Sequence, residues 1–196
     1  KLHKESSESR QRRDEVSCGR RKLDVGLLSS IAGQVSGLMK EGKEIVLVSS
    51  GAIALGMSTL KLQERPKPLS FLQAAAAVGQ NELMDAYRKF FKRYGINCAQ
   101  LLLTWEDFSD RKRYLNAKNT LVTLLKLKSV PIINENDTVS TDEIKFGDND
   151  RLSSLVSILL GAELLIILSD VDGLLDKDNI VVHKTGYKNS SKTHGL

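Results

Sequence analysis

Residues Val130 to Ile133 are wholly apolar and run directly into four amides and carboxylates, Asn134, Glu135, Asn136 and Asp137. This junction limits the folds open to the chain more than any other stretch. A short uninterrupted apolar run is the pattern of a strand buried on both faces, as in parallel sheets, rather than of a half-solvated antiparallel strand. Open sheets of that kind place their binding groups at the carboxyl ends of the strands. Eleven residues beyond Asp137 a second polar cluster follows, Asp148, Asn149 and Asp150. Carboxylates this dense beside a buried strand are costly unless a ligand, a metal or backbone donors satisfy them. Together the clusters point to a site for a ligand that carries an ammonium group or a metal-bound phosphate; the plainer alternative is a pair of polar turns.

The rest of the chain repeats the alternation of apolar run and helical pattern. Asp24 can cap a helix with apolar positions Val25, Leu28, Ile31, Val35, Leu38 and Met39, stopped by Gly42. Strands are expected at Glu44–Val48, Asn97–Thr104, Val130–Ile133 and Leu164–Leu168, and helices at Ser70–Val78, Asn81–Arg93, Asp110–Leu127 and Asn149–Leu160. Continuous apolar strands alternating with helices predict an α/β fold, a three-layer α/β/α sandwich with a mainly parallel central sheet. Residues 1–23 lack apolar periodicity and read as a solvated arm; residues 179–196 read as a solvated tail, which leaves 24–178 as the folded domain.

Charge separates the function classes. The formal net charge is +5, but eight Lys/Arg face five Asp/Glu over residues 1–24, four face two over 174–196, and seventeen face seventeen between them. A neutral body with basic ends lacks the basic face that nucleic acid requires, so no nucleic-acid partner is expected. No apolar run reaches the roughly 18 residues of a membrane span, and no membrane partner is expected. Two distant cysteines, Cys18 and Cys98, make no disulfide framework and fit a reducing, cytoplasmic compartment. Zinc is not expected, because the three histidines (His3, His183, His194) lie near the ends of the chain and the cysteines are isolated; the spacing of a calcium loop is missing too. No metal site is assigned.

Two turns carry further candidates. Ser49-Ser50-Gly51-Ala52 follows a strand and opens a helix, where backbone N–H groups can meet an anion; an ordinary capped turn fits the same residues. Ser169-Asp170-Val171-Asp172-Gly173 follows the last expected strand, where carboxylates orient a nucleotide or its magnesium, or simply make a turn. No Walker A loop, dinucleotide fingerprint or protein-kinase signature is present.

In this order the motifs resemble the amino acid kinase family, and within it the glutamate 5-kinases. The matching text is IVLVSSGAIALG (45–56), QAAAAVGQNELM (73–84), QLLLTWEDFSDRKRYLNAKNTL (100–121), VPIINENDTVSTDEIKFGDND (130–150) and LSDVDGLLDKD (168–178). The resemblance implies transfer of the γ-phosphoryl group of Mg-ATP, as co-substrate, to the side-chain carboxylate of L-glutamate. It implies that Ser50, Asp137 and Asn149 bind glutamate, that Gly51, Ala52, Asn134, Asp148 and Asp150 complete that pocket, and that Ser169 and Asp170 lie at the nucleotide. It also implies a homo-oligomer and feedback by proline.

Two family motifs are not found. The stretch that corresponds to the K-x-G-[ST] strand is ESRQRRDEV (8–16), without the lysine or glycine, and no G-T-G-G-M-x-T-K loop follows the Ser169-Asp170 motif. The expectation is therefore an intact glutamate half and a phosphate half without its two lysines, so that no catalytic residue is assigned and the fold is expected to be incomplete. The alternative expectation is a non-catalytic form that binds glutamate or proline and pairs with a full-length subunit.

Overall fold

The structure, a computed structural model, describes residues 23–139 and 149–168 together with the backbone of residues 174–175 and 181–183. Most of the expected arm and tail lies outside the described residues. The chain divides into two compact units, one ending at Glu163 and one beginning at Leu164.

The first unit is built in the order α1 (Val25–Lys40), β1 (Leu47–Val48), α2 (Ala52–Thr59), α3 (Leu69–Lys92), β2 (Cys98–Leu103), the helical turn α4 (Glu106–Ser109), α5 (Arg111–Lys126), β3 (Val130–Glu135) and α6 (Asn149–Leu160). The three strands form one parallel sheet with β3 in the middle, Leu47 and Gln100 both standing beside Ile132. Capping follows the sequence signals. The Asp24 carboxylate accepts the Leu27 N–H at 2.9 Å to start α1, and that of Asp110 accepts the Arg113 N–H at 2.8 Å to start α5.

The period-two geometry of the strands sorts their side chains into two cores. Leu47, Val130 and Ile132 pack with Leu28, Val35, Leu83, Tyr87 and Phe91 of α1 and α3. Val48, Leu101, Leu103 and Ile133 face the other way, against Leu121 of α5 and Leu152, Val156 and Leu159 of α6. Helices cover both faces of a parallel sheet, as expected of an α/β sandwich. Pro131 is fully buried in the middle strand, where a missing N–H normally breaks a ladder. It is tolerated because of its side. Val130 donates to the Asn97 carbonyl at 2.9 Å on the β2 side, so residue 131 faces β1, whose pairing begins only at Ile132.

Three departures from the sequence pattern bear on the framework. The helices expected at Ser70–Val78 and Asn81–Arg93 are one 24-residue helix, α3. Gly79 does not interrupt it, because the glycine serves a contact and not a turn. A methyl group at Gly79 would overlap the Ala52 carbonyl, and one at Gly56 would overlap that of Ala75, so α2 and α3 cross backbone to backbone. The strand expected at Glu44–Val48 is reduced to Leu47–Val48. Leu164–Leu168, in the second unit, is not a strand; its five apolar side chains are 39% to 75% exposed. An apolar run supplies burial, but a strand also needs a neighbour for its N–H and C=O groups, and the run pairs with no described residue. The second unit does contain a short antiparallel pair, β4 (Leu174–Leu175) with β5 (Val181–His183).

The helix crossing yields a test with an internal control. Gly79→Ala is expected to lower stability by about 3 kcal/mol or more, since neither backbone can yield without parting the helices. Gly37 in α1 has nothing near the position of an added methyl, so Gly37→Ala is expected to raise stability by roughly 0.5–1 kcal/mol through helix propensity. Urea unfolding of the three proteins checks both signs.

Candidate functional site

The crossing of α2 and α3 brings the turn after β1 against the carboxyl end of β3. Ser49 and Ser50 part company there. Ser49 is buried, its hydroxyl 2.9 Å from that of Tyr87 on α3, so it ties the turn to the helix. Ser50 is exposed. Gly51 has φ +94°, a left-handed conformation that side chains disfavour, and no side chain caps α2. The cap residue therefore gives the first N–H groups of α2 no side-chain acceptor, and a helix N-terminus of this kind suits an anion. Ala52, 2% exposed, is the first residue of that helix.

Beside this turn lies a small cleft. Ala52 of α2, Ala76 and Gln80 of α3 and Leu102 of β2 form its wall, and Glu135, Asp137 and Thr138 close it from the end of β3. The strand runs two residues further than the apolar pattern indicates, so Asn134 and Glu135 are still held by the sheet. Asn134 is 3% exposed and is held at both ends of its amide: its Oδ1 accepts the Glu135 N–H at 2.9 Å, and its Nδ2 donates to Gln80 Oε1 at 3.0 Å. Glu135 N–H faces the side where β1 has already ended, and the Asn134 amide stands in for the lost strand partner.

Asp137 is the electrostatic centre of the cleft. Burial, reinforced by the Glu135 charge and only partly offset by Arg65, pushes its pKa from the ordinary 3.8 up to about 6. A carboxylate held in these surroundings favours a cation next to it.

The structure brings Ala52, Asn134 and Asp137 together around one cleft, with Ser50 and Gly51 on the adjoining turn. Asn149 and Asp150 begin α6, where Arg151 stacks on Trp105 at 4.1 Å. Trp105 lies just beyond β2, so this end of α6 is also at the carboxyl edge of the sheet, although neither Asn149 nor Asp150 lines the described cleft. Asp148, Ser169 and Asp170 lie outside the described residues. Among the described residues no group of three or more His, Cys, Asp or Glu is arranged to hold a metal ion.

The model of the amino acid kinase family matches residues 10–189. The chain belongs to the amino acid kinase family. Among its relatives are a glutamate 5-kinase of Nitrosospira multiformis, 58% identical over 156 residues, and one of Azoarcus sp., 60% identical over 156 residues. A third, from Caldanaerobacter subterraneus, is 55% identical over 157 residues. Each alignment covers 80% of this chain and 42% of the relative, so the chain spans less than half the length of the relatives it matches.

Sequence reasoning does not single out every lining residue of this cleft. Gln80, Ala76 and Leu102 sit inside helical or strand patterns that read as core. The one signal is QAAAAVGQ (73–80), in which an amide follows a run of small residues on an otherwise apolar helix face.

The raised pKa of Asp137 has a consequence for stability. Below about pH 4 the group is protonated folded and unfolded, and contributes nothing. Between about 4 and 6 the folded protein binds the proton more tightly, so stability falls as pH rises through that window, and above it the full cost remains. Asp137→Asn is expected to stabilise the free protein by about 1 kcal/mol at pH 7.5, after allowance for solvent screening. The gain should vanish by pH 4, as read from paired thermal melts.

Proposed function

We propose that the cleft holds L-glutamate, and that the chain belongs to an enzyme transferring the γ-phosphoryl group of ATP to its side-chain carboxylate. The product, L-glutamyl 5-phosphate, opens proline biosynthesis. The observation that carries this reading is Asp137, a partly buried carboxylate beside a second carboxylate, Glu135, which an α-ammonium group would neutralise. The glutamate 5-kinase relatives, at 55% to 60% identity, support glutamate over other small acids.

In this reading Asp137 and Asn134 form the ammonium side, the open N-terminus of α2 at Ser50–Ala52 receives a carboxylate, and Asp148, Asn149 and Asp150 complete the pocket. Ser169 and Asp170 take the nucleotide side, with magnesium accompanying ATP; that assignment rests on the family resemblance. A carboxylate acceptor is already ionised at neutral pH and needs no general base. One of its oxygens attacks the γ-phosphorus, the bond to the bridging oxygen of ADP breaks, and an acyl phosphate results. The protein's part is to align the two reactants and offset the charge gathered between them. Cytoplasmic location, homo-oligomeric assembly and proline feedback belong to the same reading. The thiol of Cys98, half-buried and with its pKa raised chiefly by burial, fits a reducing compartment.

The direct test is a hydroxylamine trap: protein, L-glutamate, Mg-ATP and hydroxylamine, scored for γ-glutamyl hydroxamate. Product would establish the transfer reading for this chain. Absence of product from folded protein that still binds L-glutamate would reduce the reading to a binding module, and absence of binding would overturn it. Asp137→Ala is expected to weaken L-glutamate binding about 30-fold or more while the protein stays folded; unchanged affinity would sink the pocket assignment. Asp137 faces Glu135 and Arg65, and below about pH 6 it carries a proton in the free protein. Affinity for L-glutamate should therefore fall about tenfold per pH unit below that point. Calorimetric titrations should find the slope in the wild type and not in Asp137→Asn.

A further inference from the structure

Gln80 is 6% exposed, lies on a wall of the cleft, and leaves its Nε2 without a hydrogen-bond partner among the described residues. Buried side-chain donors are seldom left in that state. Its orientation is not arbitrary. The Glu135 N–H can only donate, so the Asn134 atom that accepts it is Oδ1, and the other end of the Asn134 amide is the donor Nδ2. Nδ2 in turn requires an acceptor, which is Gln80 Oε1 at 3.0 Å. One backbone amide thus fixes two side-chain amides in sequence, and the last atom of the relay is a donor that the described protein does not use.

No other side chain that lines the cleft offers an unused donor. Asp137 and Glu135 are acceptors when ionised, the Thr138 hydroxyl already donates to Asn136 Oδ1, and Ala52, Ala76 and Leu102 offer only apolar side chains. An amino acid presents both an ammonium and carboxylates, and without Gln80 the side chains of the cleft would meet only the ammonium. We infer that Gln80 is a substrate-binding residue whose Nε2 donates a hydrogen bond to a carboxylate oxygen of the amino acid. The inference rests on the reading of the cleft as the L-glutamate site. It also gives the Asn134–Gln80 pair a purpose: the pair presents a preset donor, so binding does not have to freeze a mobile side chain.

Gln80→Glu separates the two ends of the amide. It keeps an oxygen to accept from Asn134 Nδ2 and replaces the donor with an ionised oxygen that repels a carboxylate; the neutral variant below separates loss of the donor from the added charge. Calorimetric titration of L-glutamate into the wild-type chain and this variant at pH 8 is expected to show at least a tenfold loss of affinity. The loss should narrow as pH is lowered toward 6, where the introduced carboxyl takes up a proton and again offers a donor; the wild type does not gain affinity over that range. The neutral variant Gln80→Met should weaken binding without any such recovery. Unchanged affinity in Gln80→Glu would overturn the inference, and would assign Nε2 to a trapped water. A pH-independent loss accompanied by a lower melting temperature would overturn it too, leaving a structural role. Failure of the wild type itself to bind L-glutamate would dispose of the glutamate reading, and the inference with it.

Discussion

The close crossing of α2 and α3 at Gly56 and Gly79 is the constraint on which the site depends. Helix axes pack about 8–10 Å apart when side chains lie between them, and closer only where side chains are absent. Here the absence of two Cβ atoms lets the Ala52 carbonyl rest on Gly79. That single contact sets the N-terminus of α2 beside the next residue of α3, Gln80, and the Ser49–Tyr87 hydroxyl pair fastens the same turn further along the helix. The cleft is thus held by backbone contact and by a buried hydroxyl pair, while its acidic groups come from outside the α2–α3 unit, at the end of β3.

The end of β3 shows how a sheet hands over to a site. β1 is short, so the middle strand outruns its neighbour, and the half-buried N–H of Glu135 takes the Asn134 side chain instead. From there outward, hydrogen bonding passes from backbone to side chain, and Asp137 is left where desolvation opposes its charge. Such a placement lowers stability and favours a cationic ligand, a common exchange at binding sites.

Much of this is legible in the sequence. The apolar runs and helical periodicity predict the parallel sheet with helices on both faces, because burial alone determines those patterns. The clusters around Asn134 and Asp137 point to the end of β3 on similar grounds: polar groups that abut a buried strand must find partners there, in the protein or in a ligand. Pairing is not legible. Nothing in Leu164–Leu168 says which backbone will meet it, and the run stands exposed. The two expected helices leave Gly79 out, since a glycine that admits a neighbouring backbone looks the same in one dimension as a glycine that turns the chain. Gln80 is hidden by its own helix, because its role depends on Asn134, which reaches it only in the folded protein.

The connectivity of the cleft also bears on the order in which its walls form. Ala52 and Gly79 meet across a short stretch of chain, whereas Leu47 and Ile132 pair across most of the first unit. Closing a longer loop costs more chain entropy, and non-local parallel pairing is the slow part of α/β folding. The helical wall can therefore assemble while the acidic wall is still missing, and the cleft becomes competent only when β3 docks. A ligand that needs both walls acts after that step: it slows unfolding and leaves the folding rate almost untouched.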